Sequence, residues 1–406
     1  MRTVVVLAWL IWSGSLAAGE IKLLGTGTLP GNSADLSGLP GTLSDGTPHN
    51  RLGGMGSAIA YSGQANSYLL ASDRGPKDGA TDFVCRVHRM DIVVQPGAAK
   101  PVDLKLTATT LLTDEAGRPF LGSLTAFDAK QPERSLRLDP EGIRLGRSGN
   151  FYISDEYGPF VYEFSPAGKR LRALPVPRKF LPHIVAGKPE EEMPPHNKAG
   201  RQPNRGMEGL AISPDGTTLM GIMQSPLIQD GGLNAENKRV GLNSRMIQFD
   251  LATGKTKEFI YPLDDAANGV SEILAVNTTQ FLVLERDSKG GLEAQCKKIF
   301  LIDLDGASEV SDVAELPAKG LPSGLKAVKK QLFLNLLDPK YGLHGPDMPE
   351  KIEGICFGPD LPDGRKLLIV TADNDFVETA PFRVYAFAVD PADLPGNVPQ
   401  QLPAGR

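Results

Sequence analysis

Short apolar stretches recur along the chain. Each is followed by a turn and a second apolar stretch that ends in polar residues. The first members are DPEGIRLG, GMEGLAIS, VSEILAV and KIEGICFG, which carry Glu141, Glu208, Glu272 and Glu353 at spacings of 67, 64 and 81 residues. The second members are FYISDEYG, LMGIMQS, FLVLERD and LLIVTADND. An earlier copy, GGMGSAIAYS then YLLASDRG, has Gly56 where the others have Glu. Third stretches follow in VYEFSPAGK, MIQFDLATGK, KIFLIDLDG and VYAFAVDP. Runs of about five residues rich in Val, Ile, Phe and Tyr, bounded by Asp, Pro and Gly, are strand signals. SPDGTT and DLATGK are turn sequences that join antiparallel neighbours.

Three or four short strands per copy, repeated every 65–80 residues or so, predict an all-β fold: a β-propeller of antiparallel strands. Five copies are visible. Residues 100–138 read as the outer part of one blade or as a sixth, and six blades are expected. The even repeat disfavours a β-sandwich. The strand pattern near 383–390 is expected to pair with an early strand near 20–29, closing the ring and removing its free edges. Residues 178–206 break the pattern and are expected to form an inserted loop on one face. Long loops on a rigid scaffold often border a site.

Composition narrows the functional classes. Lys+Arg 43 against Asp+Glu 48 gives a net charge of −5, which argues against nucleic acid. Apolar residues at 41% and charged residues at 22% fit a globular chain rather than a disordered one. Gly 45 and Pro 33 signal many turns and exclude long helices. Residues 1–19 combine Arg2, an apolar run from Val4 to Trp12, and Ala17-Ala18-Gly19 before Glu20. That is a secretory-signal pattern. The run is too short for a span, which needs ~20 residues. The expectation is a signal peptide over 1–19 and a single domain over 20–406, secreted or periplasmic, without a membrane span, and monomeric. Cys85, Cys296 and Cys356 have no metal-type spacing. Their odd number leaves at least one thiol free, and Cys356 reads as a small buried residue.

In a propeller the first strand of each blade lines the central channel. Glu141, Glu208, Glu272 and Glu353 are therefore expected as a ring of acids at its mouth. The ends of the second strands add Asp73, Asp155, Glu156, Glu285, Asp287, Asp373 and Asp375. Crowded carboxylates repel and raise one another's pKa. A hard cation removes that conflict, and Ca²⁺, with 6–8 oxygen ligands in flexible geometry, suits acids drawn from several strands. The histidines show no paired spacing for Zn²⁺. Arg74, Arg205 and Arg286 stand beside the acids in DRG, NRGMEG and LERD. They offer salt bridges between blades or bidentate grips on an anion. A purely structural ring is the competing reading. There is no G-x-S-x-G elbow and no P-loop, so metal-activated water is the simplest nucleophile.

The ordered set DPEGI…FYISDEYGPFVYEFSPAGK, NRGMEGLAISPDG…MQSPL, SEILAV…FLVLERD and KIEGICFGP resembles the phytase-like family, described as having esterase-like activity. The resemblance runs from about Gly53 to Asp390. It implies an exported bacterial β-propeller and hydrolysis of phosphate or other esters. Carried over by motif, it points to Asp73, Arg74, Glu141, Asp155, Glu156, Arg205, Glu208, Glu272, Glu285, Arg286 and Glu353. The expectation is a hydrolase of a small anionic ester, a phosphoester first. Glu208 or Glu141 activates water, and Arg74, Arg205 and Arg286 hold the anion. Ca²⁺ rests on Asp73, Asp155, Glu156, Glu272, Glu285 and Glu353. The alternatives are a non-catalytic propeller binding a ligand or protein, and a metal-dependent sugar lactonase using Asn374 and Gln224.

Overall fold

Apolar runs such as Phe281–Leu284 and Leu367–Val370 show no hydrophobic–polar alternation because both faces of their sheets are buried. Leu282 and Leu284 pack toward one neighbouring sheet, while Phe281 and Val283 pack toward the other. The computed structural model describes residues 19–403 apart from Ala129, Pro132 and Glu133. Among these residues, twenty strands form five four-stranded antiparallel sheets. The first blade is β2 (Ala58–Tyr61), β3 (Ser67–Ala71), β4 (Arg86–Val94) and β5 (Val102–Leu111). The second is β6 (Pro140–Leu145), β7 (Phe151–Asp155), β8 (Val161–Phe164) and β9 (Arg170–Ala173). The third is β10 (Met207–Ile212), β11 (Thr218–Met223), β12 (Asn243–Asp250) and β13 (Thr256–Pro262). The fourth is β14 (Gly269–Ala275), β15 (Gln280–Arg286), β16 (Lys297–Asp303) and β17 (Lys329–Asn335). The fifth is β18 (Ile352–Phe357), β19 (Lys366–Ala372) and β20 (Phe382–Val389), with β1 (Lys22–Leu29) as its outer strand.

The expected closure between the two ends of the chain is present: β1 pairs with β20 from Lys22↔Ala388 to Leu29↔Phe382. The expected sixth blade is not. Residues 102–111 supply the outer strand of the first blade. The described residues of 112–138 then make only isolated bridges, such as Thr113↔Pro119 and Leu121↔Arg137. That segment has turn residues but no second apolar run for a strand to pair with. Its role is a connection, and the propeller has five blades.

Five apolar clusters fill the five seams between blades. The channel itself is plugged. Arg144 of β6 is buried and donates to the carbonyls of Ile59, Ile143 and Ile273 at 2.9, 2.6 and 2.7 Å, and to that of Ile355 at 3.4 Å. These carbonyls come from blades one, two, four and five. Its charge is met by Glu272, at 3.0 Å. Below it the C-terminal segment crosses the channel. Val398 N donates to Val276 O (2.9 Å), Gln400 Nε2 to Leu145 O (2.6 Å) and Gln401 N to Pro214 O (2.7 Å). One end of the channel is thus closed, and the chemistry gathers at the other.

The three cysteines are free and buried. No helix among the described residues is long and apolar enough to cross a membrane. The signal-like segment lies, except for Gly19, outside the described residues.

Candidate functional site

The inner strands carry the repeated Glu on β-bulges. Register with the second strand shifts between Pro140 and Gly142, Met207 and Gly209, Val270 and Glu272, and Ile352 and Ile355. A bulge bends the strand and re-aims a side chain. Here Glu141 and Glu208 are themselves the extra residues. β2, which lacks the Glu, pairs with β3 without a shift. The reason for Gly56 is packing: a Cβ there would lie 2.3 Å from the amide nitrogen of Asp373 in the fifth blade.

The acids do not form a symmetric ring. Glu141, Glu156 and Glu208 bring one carboxylate oxygen each to within 4.8 Å of one another, and Asp73, Asp139 and Glu141 do the same. Glu141 belongs to both groups. A third group joins Asp73 to Asp373 and Asp375, with the Lys351 ammonium among them, 3.1 Å from Asp73 and 2.9 Å from Asp375. Several oxygens here are buried without a hydrogen-bond partner: Glu156 Oε1, Glu208 Oε2 and both oxygens of Asp373. Buried polar atoms are normally paired, so these mark a place suited to a cation or a polar ligand.

Burial pushes the Glu208 carboxyl well up, and Glu156 and Glu353 push it further against the pull of Arg286 and Arg205. Glu141 is raised by burial and then by Glu208, Asp139 and Asp73. Asp139 is raised by burial in spite of Arg74. Asp73 differs. Burial would raise it, but Lys351 and Arg74 outweigh that and hold it down to about 2.

The remaining predicted residues sit around this centre or away from it. Arg74 Nη1 lies 2.6 Å from Asp139 and 3.5 Å from Glu156, and its Nη2 pairs with Asp78 at 2.8 Å. Arg286 pairs with Glu353 at 2.5 Å, and Ser57 also donates to Glu353. Arg205 donates to the neutral Gln224 amide oxygen. Four predicted metal ligands are not brought to the cluster: Glu353, held by Arg286 and Ser57, and Asp155, Glu272 and Glu285. Asp155 accepts the amides of Asp139, Tyr157 and Gly158 and so shapes the turn that presents Glu156. Glu272 holds Arg144 and accepts two amides. Glu285 accepts from Tyr261, Asp264 N, Asn268 and Lys330 in the seam between blades three and four. Asp287 pairs with Lys297. The two amides considered for a lactonase are also occupied, Gln224 by Arg205 and Asn374 by Gly54 N and Ala380 O.

Sequence reading missed Asp139, Lys351 and Arg239. Asp139 stands two residues before Glu141 in a motif already singled out. Arg239 lies in an irregular loop with no signal. It is half-buried, with no side-chain hydrogen bond or ion pair among the described residues. Burial, then the charges of Arg205 and Arg286, lower its guanidinium to about 10.

Gly206 lets the chain pass against the turn carrying Glu156, since a Cβ there would fall 1.9 Å from Glu156 O. Gly206→Ala is expected to destabilise the protein by about 1–3 kcal/mol and to weaken cation binding by displacing Glu156. Thermal melting with ion titration reads both effects.

Residues 50–376 match the family described as phytase-like, esterase-like activity of phytase. A protein of Arthroderma benhamiae, named an uncharacterized secreted protein, is 31% identical over 367 residues, covering 73% of this chain and 69% of that one. Among solved structures, regucalcin from Agrobacterium tumefaciens, a calcium-binding protein, is 12% identical with a TM-score of 0.37, covering 87% of this chain and 94% of that one. A gluconolactonase from Xanthomonas campestris is 12% identical with a TM-score of 0.33, covering 81% and 85%. By the match across most of its length, the chain belongs to the phytase-like family.

Proposed function

We propose that this protein is an exported, monomeric hydrolase of small anionic esters, phosphoesters first, that works with a hard divalent cation, Ca²⁺, at the open end of the channel. One observation carries the reading. Glu141, Glu156 and Glu208 converge with unpartnered buried oxygens, beside arginines that are not all neutralised. An all-carboxylate oxygen set matches a hard cation. Asp73, Asp139, Glu141 and Glu156 would hold it, and when bound it lowers the pKa of water and offsets negative charge on the ester.

Glu208 acts as the general base. Burial, Glu156 and Glu353 raise its pKa, which makes the ionised carboxylate a stronger base. It takes a proton from water as the water oxygen bonds to the ester centre, and returns it to the leaving oxygen as the ester bond breaks. Arg205 holds the ester anion, and Arg286 and Arg239 add positive charge beside it. Arg74 keeps Asp139 and Glu156 in place.

Calcium titration of the metal-stripped mature protein, by calorimetry and melting, tests the reading together with a phosphoester and carboxyester panel. Saturable binding with ion-dependent turnover is expected. No binding and no turnover would leave the acids as a structural feature.

Cation binding is also expected to release protons, because Glu141, Glu208 and Asp139 are held above the usual carboxylate range. Calorimetry in two buffers of different ionisation heat measures the release. Two further buried carboxyls, Asp155 and Glu272, contribute to the pH dependence of stability. Burial raises Asp155 to about 6 against its amide bonds, and Glu272 to about 7 against Arg144. Carboxyls raised on folding stabilise most below their unfolded values, and that contribution is lost as pH rises through the folded values. The metal-stripped protein should therefore melt lower at pH 8 than at pH 5.5. Asp73 opposes this only below its ordinary range. A melting point that rises across this window would contradict the assignment.

A further inference from the structure

The closed end of the channel holds a cavity of about 260 Å³, between the Arg144 plug and the C-terminal segment that crosses below it. The inner strand of each blade supplies part of the wall: Tyr61, Arg144, Ile212, Leu274 and Phe357, in blade order. Val398 closes it from the side of the C-terminal segment. That segment reaches the blades through its backbone, with Val398 N donating to Val276 O and Gln401 N to Pro214 O. Local opening of the segment gives a molecule its way in.

The charged groups of the wall are already paired. Lys366 donates to both oxygens of Asp360, at 3.0 and 2.9 Å. Arg144 is turned to backbone carbonyls of four blades and to Glu272. The neutral polar groups are engaged as well: the Tyr61 hydroxyl donates to Ala65 O, and Gln400 Nε2 to Leu145 O. An ordered water would need two to four polar partners of its own. Protein interiors are close-packed, with few voids larger than a water molecule, and an empty void forfeits dispersion contacts on every side. The space therefore suits an apolar occupant.

We infer that this cavity is a binding site for a small, uncharged, apolar molecule of one or two rings. An apolar cavity of about 150 Å³ takes benzene. One of about 260 Å³ suits a ligand of roughly ten carbon atoms. A carboxylate or ammonium ligand would be buried without a free counter-charge, which is costly. The ligand would touch all five blades and the C-terminal segment together, and so hold that segment down. The site lies at the opposite end of the channel from the acidic cluster and is independent of the ester chemistry there.

The probe is naphthalene, titrated into the full mature protein and followed by calorimetry and melting. Saturable binding of one molecule per chain, with a higher melting point, is expected. 1-Naphthoate, the same ring with a carboxylate, should bind roughly tenfold or more weakly. Ala275→Leu and Leu274→Trp enlarge two half-buried wall residues and leave every charge in place. Each should weaken naphthalene binding roughly tenfold or more. Hydrogen exchange locates the ligand without any variant. The amides of Val398 and Gln401 should exchange more slowly with naphthalene bound, because the segment must lift to release it. No saturable binding, binding that both folded variants leave unchanged, or exchange at these amides that does not slow overturns the site. Equal affinity for 1-naphthoate overturns the uncharged class of ligand.

Discussion

Glu208→Gln is expected to lower ester turnover by about 10²–10⁴-fold, the usual contribution of a general base, with the fold intact. Gln keeps the volume and shape of the side chain. Among the described residues Glu208 makes no side-chain hydrogen bond or ion pair that the change would break, and one of its oxygens is buried without a partner. The charge removed is one that Glu156 and Glu353 repel, so the melting temperature of the ion-free protein should hold or rise. Turnover unchanged in the calcium-loaded variant would exclude Glu208 as the base and transfer the role to Glu141. A variant that loses calcium binding along with turnover would instead make Glu208 a ligand.

Arg144→Met is expected to give the largest loss of stability. Removing one partner of a buried ion pair costs about 3–5 kcal/mol, because the other charge is left uncompensated. Here Glu272 would be stranded in the channel, and the carbonyls of Ile59, Ile273 and Ile355 would lose their shared donor. At the ~2 °C per kcal/mol typical of larger domains, melting should fall by about 6–10 °C. Arg144→Met combined with Glu272→Leu should recover much of the loss, since replacing both charges by apolar groups is often neutral. Additive losses in the double variant would show that the carbonyl contacts, not the ion pair, hold the blades together.

The repeat was legible because blade geometry imposes it. Each blade needs an apolar inner strand, a turn and two or more apolar strands packed on both faces, and the copies led by Glu141, Glu208, Glu272 and Glu353 report that need directly. The closure of β1 on β20 was legible for a related reason: a ring cannot leave an open edge. Blade number was less secure. A long outer strand such as β5 and a connection such as 112–138 together match the length of a blade, and length does not distinguish them.

The site was legible in its residue types but not in its partnerships. Four glutamates in equivalent positions, all beside register shifts, suggest four equivalent roles, yet only Glu141 and Glu208 join one cluster, with Glu156. Arg144 takes Glu272 into the channel, and Arg286 takes Glu353. Asp155 and Glu156 are neighbours in sequence with opposite fates, one bound by three amides and the other left with a free oxygen. Asp155 takes its donors from its own blade, but the pairings of Arg144 with Glu272 and of Arg286 with Glu353 depend on donors from other blades, and spacing along the chain carries no record of them.

The sequence by itself determined the all-β repeat, the antiparallel blades, the ring closure and an acidic, arginine-flanked channel face, because these follow from burial and turn chemistry within each copy. Only the tertiary structure decided that there are five blades, that the channel is plugged by Arg144 and crossed by the C-terminal segment, and that Glu141 meets Asp139 and Asp73 on one side and Glu156 and Glu208 on the other. The physical reason is common to all of these: a charge's role is set by the partners within a few ångströms of it, and those partners come from distant segments that only the closed ring brings together.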